Sequence, residues 1–161
     1  MLYEKILTEL EKNNIKYMAI GGVAVNLYGH QRFTKDLDIM VSFEKENMDK
    51  FIEITKKLGL KPRVPVDVEE LADKDKREFW KKEKNMKVFS FYNPNDDFEI
   101  IDIMIQDDLD FDESYLQKQI LSDGKISVSV ISIDDLIKLK EIANRPRDRD
   151  DIEVLKKLKE L

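Results

Sequence analysis

The sequence predicts an α/β domain: a mixed β-sheet flanked by helices and closed by a C-terminal helical pair. Three observations carry this. Tyr17–Ile20 is a short apolar stretch that stops at Gly21-Gly22, the pattern of a strand ending in a tight turn. Asp36–Val41 reads as a second strand, with Leu37, Ile39 and Val41 on one face and Asp36 and Asp38, two residues apart, on the other. Ile100–Ile105 is apolar except for Asp102 and Gln106 beyond it, as expected of a strand buried on both faces. A chain of 161 residues with 42% hydrophobic content suits one domain, residues 1–161, built round one core.

The remaining elements follow in order. Leu2, Ile6, Leu7 and Leu10 recur at helical spacing, which predicts a helix over residues 2–13 ending at Asn13-Asn14. Met48, Phe51, Ile52, Ile54 and Leu58 mark the buried side of a helix over Glu44–Leu58, stopped by Gly59. Residues 61–85 hold two prolines and a charged run around Phe79-Trp80, and read as a helix with flanking loops and one anchored aromatic. Lys87–Tyr92 and Phe98–Ile105 flank Asn93-Pro94-Asn95-Asp96-Asp97, turn chemistry that favours a hairpin. A short helix is expected near Ser114–Leu121, then a strand over Lys125–Ile131. Helices over Asp134–Asn144 and from an Asp148 N-cap onward close the chain.

Composition narrows the function classes. There is no cysteine, so disulfides and thiolate metal sites are excluded and a cytoplasmic setting is expected. No apolar run is long enough for a membrane span, and Met1 opens directly into an amphipathic helix rather than a secretion signal. A net charge of −6 argues against broad nucleic-acid binding.

The chemistry-bearing residues gather around the first two strands. Glycines at 21 and 22 let the chain turn tightly and open the first amides of the next helix to an anion. No Gly-Lys-Ser/Thr follows and no third glycine completes a dinucleotide fingerprint, so the pair gains its weight from the downstream Asp36-x-Asp38. Asp102, in its apolar strand, requires a cation or strong hydrogen bonds to stay ionised. A divalent ion shared with Asp36 and Asp38 meets that need, as does a buried lysine or arginine. Lys140 falls on the buried arc defined by Ile133, Leu136, Ile137, Leu139 and Ala143, whereas Lys138 faces away. A lysine on that arc needs an anion at its tip, either a nucleotide phosphate or an aspartate. His30, the only histidine, reads as a loop residue.

Gly21-Gly22, thirteen residues, then Asp36-x-Asp38, with Arg32-x-Thr34 leading in, resembles the signature of the nucleotidyltransferase superfamily related to DNA polymerase beta. Within it the sequence is most similar to minimal bacterial members, the AbiEii-like toxins and the small antibiotic nucleotidyltransferases. Arg145-Pro146-Arg147-Asp148 through Asp151 is similar to the stretch that ends such proteins. The departures are Gly22 where many members carry serine, Arg147 for lysine, and Asn144 for a glycine at the helix end.

The resemblance implies the nucleotidyltransferase fold, with Asp36, Asp38 and Asp102 as catalytic carboxylates and ligands of magnesium, two ions in the active complex. It implies nucleotide contacts from Gly21, Gly22, Arg32 and Lys140, with Arg145 or Arg147 as secondary candidates. The implied reaction is transfer of a nucleoside monophosphate from an NTP such as ATP to an acceptor hydroxyl, releasing pyrophosphate. The acceptor is a tRNA end, a protein or a small molecule, and a toxin–antitoxin setting would add a small helical partner protein. The alternative is a non-catalytic nucleotide-binding or toxin–antitoxin component, in line with the lack of the extra helices that larger members carry.

Overall fold

The computed structural model describes residues 3–161, so the expected helical positions Met1 and Leu2 lie outside the described residues. In chain order the elements are α1 (Glu4–Lys12), β1 (Tyr17–Ile20), α2 (Gly21–Leu27), β2 (Leu37–Val41), α3 (Lys45–Lys57), β3 (Lys61–Pro62), a 3₁₀ turn (Val68–Ala72), α4 (Lys74–Glu83), β4 (Val88–Asn93), β5 (Asp96–Met104), α5 (Phe111–Leu116), β6 (Gln119–Asp123), β7 (Ile126–Val130), α6 (Ile133–Ala143) and α7 (Pro146–Lys159). The strands form one mixed sheet in the order β3-β4-β5-β2-β1-β7-β6. The β2–β5 and β1–β7 pairs are parallel and the others antiparallel. Among the described residues no helix is long and apolar enough to cross a membrane.

Alternation fixes which way the central strands face. Leu37 and Ile39 of β2, Phe89 and Phe91 of β4, and Ile101 and Ile103 of β5 are fully buried. Register sets Phe91 opposite Ile101 and Phe89 opposite Ile103. Phe51 of α3 meets Phe91 edge-on at 6.1 Å, and Trp80 of α4 lies 5.3 Å from Phe89. Trp80 is therefore the anchored aromatic of the charged segment, while Phe79 beside it is exposed. With that face committed to the core, Asp38, Ser90 and Asp102 must project from the other. A buried polar clamp ties α1 to the sheet: Glu11 Oε1 accepts from Tyr17 Oη at 2.7 Å, from Ser129 N at 3.1 Å and from Ser129 Oγ at 3.0 Å.

Two expected elements differ. Residues expected as one helix over Ser114–Leu121 divide instead into α5, capped by the Asp110 side chain at Glu113 N, and the edge strand β6. β6 pairs with β7 through a tight turn at Gly124, whose φ of +63° suits glycine. Asp148 is not the N-cap of the last helix: Arg145 holds that place, and Asp148 caps it from the third helical position by accepting the Arg145 backbone N–H at 3.0 Å. Pro146 supplies its first turn, where a missing N–H costs nothing, and Asp148 sits inside that turn.

Truncating Phe91 to alanine removes a fully buried ring that packs against Phe51 of α3 and Phe89 of its own strand. Urea unfolding is expected to show a loss of about 3–5 kcal/mol.

Candidate active site

β1 and β2 are antiparallel, with Ile20 opposite Asp38. The chain then turns at Gly21, whose φ of +63° disfavours any side chain. Packing reinforces the choice: a Cβ on Gly21 would stand 2.3 Å from Asp38 Oδ2, and one on Gly22 would stand 2.4 Å from Thr34 Oγ1. The diglycine thus lets the start of α2 lie directly against the carboxylate of β2 and the loop that precedes it. No side chain caps the N-terminus of α2, and its first turn carries no acidic residue.

The parallel pairing of β2 with β5 sets Asp38 opposite Asp102. Ser90, opposite Asp102 on β4, donates from Oγ to Asp102 Oδ1 at 2.5 Å. Among the described residues no arginine or lysine bonds to Asp102, so a buried cation is not what holds it; Arg63 acts on it only through space. Asp36 falls in a bend just ahead of β2 rather than in the strand, so strand alternation does not set its direction. Its Oδ1 is buried with no hydrogen-bond partner among the described residues.

Burial first, and then the crowding of like charges, raises two of these carboxyls. Burial, then Asp102 and Asp36, push the Asp38 carboxyl up from 3.8 to about 7, against a smaller opposing pull from Arg145. Asp102 is also raised, by burial and by Asp36, although Ser90 stabilises its charged form. Among the described residues no three acidic or histidine side chains close into a ready-made metal cage. What exists is an all-oxygen donor set with uncompensated charge and one orphaned carboxylate oxygen. Those are the properties that a hard divalent cation with water and phosphate in its shell satisfies.

Arg32 and Lys140 meet at one carboxylate. Arg32 forks onto Asp151, Nε to Oδ1 at 3.0 Å and Nη2 to Oδ2 at 2.8 Å. Lys140 is buried, as its helical position requires, and its Nζ reaches Asp151 Oδ2 at 2.9 Å and Asp148 Oδ1 at 3.4 Å. Burial pushes Asp151 up, but the hydrogen bonds from Lys140 and Arg32 outweigh it and hold the carboxyl below the ordinary range. Of the two anions open for Lys140 in the sequence, the aspartate is the one present here. Arg32 still borders the glycine turn: its Nη2 would lie 3.3 Å from a Cβ on Gly22. Ser90 was not singled out in the sequence; its place opposite Asp102 in a hairpin is the signal that finds it. His30 lies in the loop after α2.

A mixed sheet with paired aspartates on adjacent parallel strands, beside a glycine turn that opens a helix, is the arrangement that the resemblance to nucleotidyltransferases implies. The model of the family described as nucleotidyl transferase AbiEii toxin, type IV TA system, matches residues 18–154, and the chain belongs to that family. No curated protein sequence matches it. Among solved structures, a lincosamide antibiotic adenylyltransferase, LnuA, bound to lincomycin, is similar at 18% identity and a TM-score of 0.63, over 98% of this chain and 95% of that one. ANT(2")-Ia, in complex with adenylyl-2"-tobramycin, is similar at 16% identity and a TM-score of 0.61, over 96% of this chain and 85% of that one. A nucleotidyltransferase structure from Thermotoga maritima aligns at 14% identity and a TM-score of 0.56, over 99% of this chain and 92% of that one. At these identities the likeness is one of fold.

Two outcomes test the geometry. Gly21→Ala forces a side chain into Asp38 at a positive φ, and thermal unfolding is expected to show a loss of about 1–3 kcal/mol. Asp38 titrates higher in the folded protein, at about 7, than in an unfolded chain, at 3.8. The folded state therefore binds more protons in that window, and this group's contribution to stability falls as pH rises through it. Asp38→Asn, measured with chelator present, is expected to melt a few degrees above wild type at pH 8, about 3 °C or more. The gap is expected to close as pH falls toward about 4.

Proposed function

We propose that the protein transfers a nucleoside monophosphate from an NTP to an acceptor hydroxyl and releases pyrophosphate, with Asp36, Asp38 and Asp102 as its catalytic carboxylates. The observation that carries this is the enforced pairing of Asp38 with Asp102 across parallel strands, beside a partnerless Asp36 oxygen. Two carboxylates held side by side, with a third near enough to act on both, are costly alone, and the cost becomes useful when charge of opposite sign is brought to them.

The residues divide the work. Asp36, Asp38 and Asp102 would hold magnesium, two ions in the active complex; magnesium would supply neutralising charge for the triphosphate and the pentavalent phosphorus. Gly21 and Gly22 keep the wall beside Asp38 free of side chains, so that phosphate can approach the backbone. Arg32 borders the same wall and brings positive charge to it, and Lys140 stands behind it on the shared Asp151 carboxylate, its part in nucleotide binding exerted through that ion pair. Asp102 has Oδ1 fixed by Ser90, which leaves Oδ2 to take the acceptor hydroxyl's proton. The deprotonated oxygen bonds to the α-phosphorus as the bond from that phosphorus to the bridging oxygen breaks, and pyrophosphate departs with the electron pair. Positioning and charge neutralisation supply most of the rate.

The acceptor is a tRNA end, a protein or a small molecule. The family's description as a type IV toxin supports an antitoxin as its counterpart, a small helical protein in the form expected from the sequence.

The test is incubation with α-labelled NTPs and magnesium, offering RNA, protein and small-molecule fractions of a cell extract in turn. Wild type is expected to label one fraction and release pyrophosphate, and Asp38→Asn to lower the rate roughly 100-fold or more. Absence of label in every fraction, or equal labelling by Asp38→Asn, sinks the proposal.

A further inference from the structure

Of the cations that surround the carboxylates, Arg32 and Lys140 are already engaged. Arg32 spends Nε and Nη2 on Asp151 and Nη1 on the Phe33 carbonyl. Lys140 is enclosed with Asp148 and Asp151. Arg145 differs. It follows Asn144, whose left-handed φ of 48° ends α6 and turns the chain sharply into α7.

Its side chain is aimed by a rigid neighbour. Asp148 is fully buried and accepts from Arg145 at three points: backbone N at 3.0 Å and Nε at 2.8 Å on Oδ2, and Nη2 at 3.2 Å on Oδ1. Lys140 holds the same carboxylate from the other side. A guanidinium carries five N–H donors, and this fork uses two. The other three have no acceptor among the described residues, and the side chain is 68% exposed. The guanidinium also lies close enough to Asp38 for each charge to act on the other, with no hydrogen bond between them. Arg147, two residues on, is exposed and makes no side-chain hydrogen bond or ion pair among the described residues.

We infer that Arg145 is a substrate-binding residue whose free N–H groups take phosphate oxygens of the NTP and set the polyphosphate against Asp38. The assignment rests on the nucleotidyl-transfer reading above. A planar donor fork locked by a buried carboxylate has lost its rotamer freedom before the ligand arrives, so little of the binding energy goes into ordering it. The ligand is a polyanion entering a site crowded with carboxylates, and an exposed, pre-aimed cation offsets that repulsion. The sequence left Arg145 and Arg147 equal; the fork to Asp148 separates them.

Calorimetric titration with non-hydrolysable ATP and GTP analogues, and separately with inorganic pyrophosphate, each with magnesium, tests this. Arg145→Gln is expected to weaken both the preferred analogue and pyrophosphate by about 10-fold or more. Arg149→Gln, a neighbouring charge loss on the same helix, is expected to stay within about twofold of wild type. Arg145→Lys keeps the charge but loses the fork, and is expected to fall between; it carries the test should Arg145→Gln fail to fold. Wild-type affinity in a folded Arg145→Gln, or in Arg145→Lys where the glutamine variant is unfolded, overturns the assignment alone. Wild-type protein that binds no nucleotide overturns both the assignment and the reading on which it rests.

Discussion

Two carboxylates held side by side by a hydrogen-bonded strand pair are the constraint on which this molecule depends. Asp38 and Asp102 cannot separate without breaking the β2–β5 ladder. Neither can turn away, because Leu37, Ile39, Ile101 and Ile103 on the opposite face are fully buried. A one-residue slip would exchange aspartates for isoleucines on the core side. The core, not the site, thus sets the spacing of the charges. Burial then keeps water from screening them, which is why the Asp38 carboxyl rises to about 7.

Charge in the neighbouring cluster on α6 and α7 is arranged in the opposite sense. Asp148 and Asp151 are buried, yet both are held below the ordinary carboxylate range by Arg145, Lys140 and Arg32. One cluster therefore has more negative charge than its surroundings can satisfy, and the next is closed by ion pairs. Arg145 belongs to both, bonded to Asp148 while acting on Asp38. Replacing Asp151 would leave Arg32 without its anion and Lys140 with Asp148 alone, a larger disturbance than loss of one surface pair.

Much of this was legible in the residues. An aspartate at the centre of Ile100–Ile105 has to sit in a buried strand, and it does; of the cation or strong hydrogen bonds its charge requires, the structure supplies one hydrogen bond, from Ser90. The run of apolar positions around Lys140 placed that lysine inside, correctly. What periodicity does not convey is the partner, because Asp148 and Asp151 also fit the pattern of helix-capping residues. The structure makes them ion-pair acceptors, with Pro146 taking the start of the helix. Asp36 illustrates a second limit: alternation assigned it a face, but the strand begins one residue later. Leu121 shows a third, since the turn at Gly124 and pairing with β7 outweighed the helical reading of residues 114–121.

Arg32 and Asp151 are 119 residues apart in sequence, and their bond anchors the loop that runs into Asp36. During synthesis the ribosome delivers both aspartate-bearing strands long before it delivers that anchor. A growing chain can pair β2 with β5 while the loop ahead of them still lacks its tether. Anchoring of the loop beside the carboxylates in this way waits until the helix that bears Asp151 has been made.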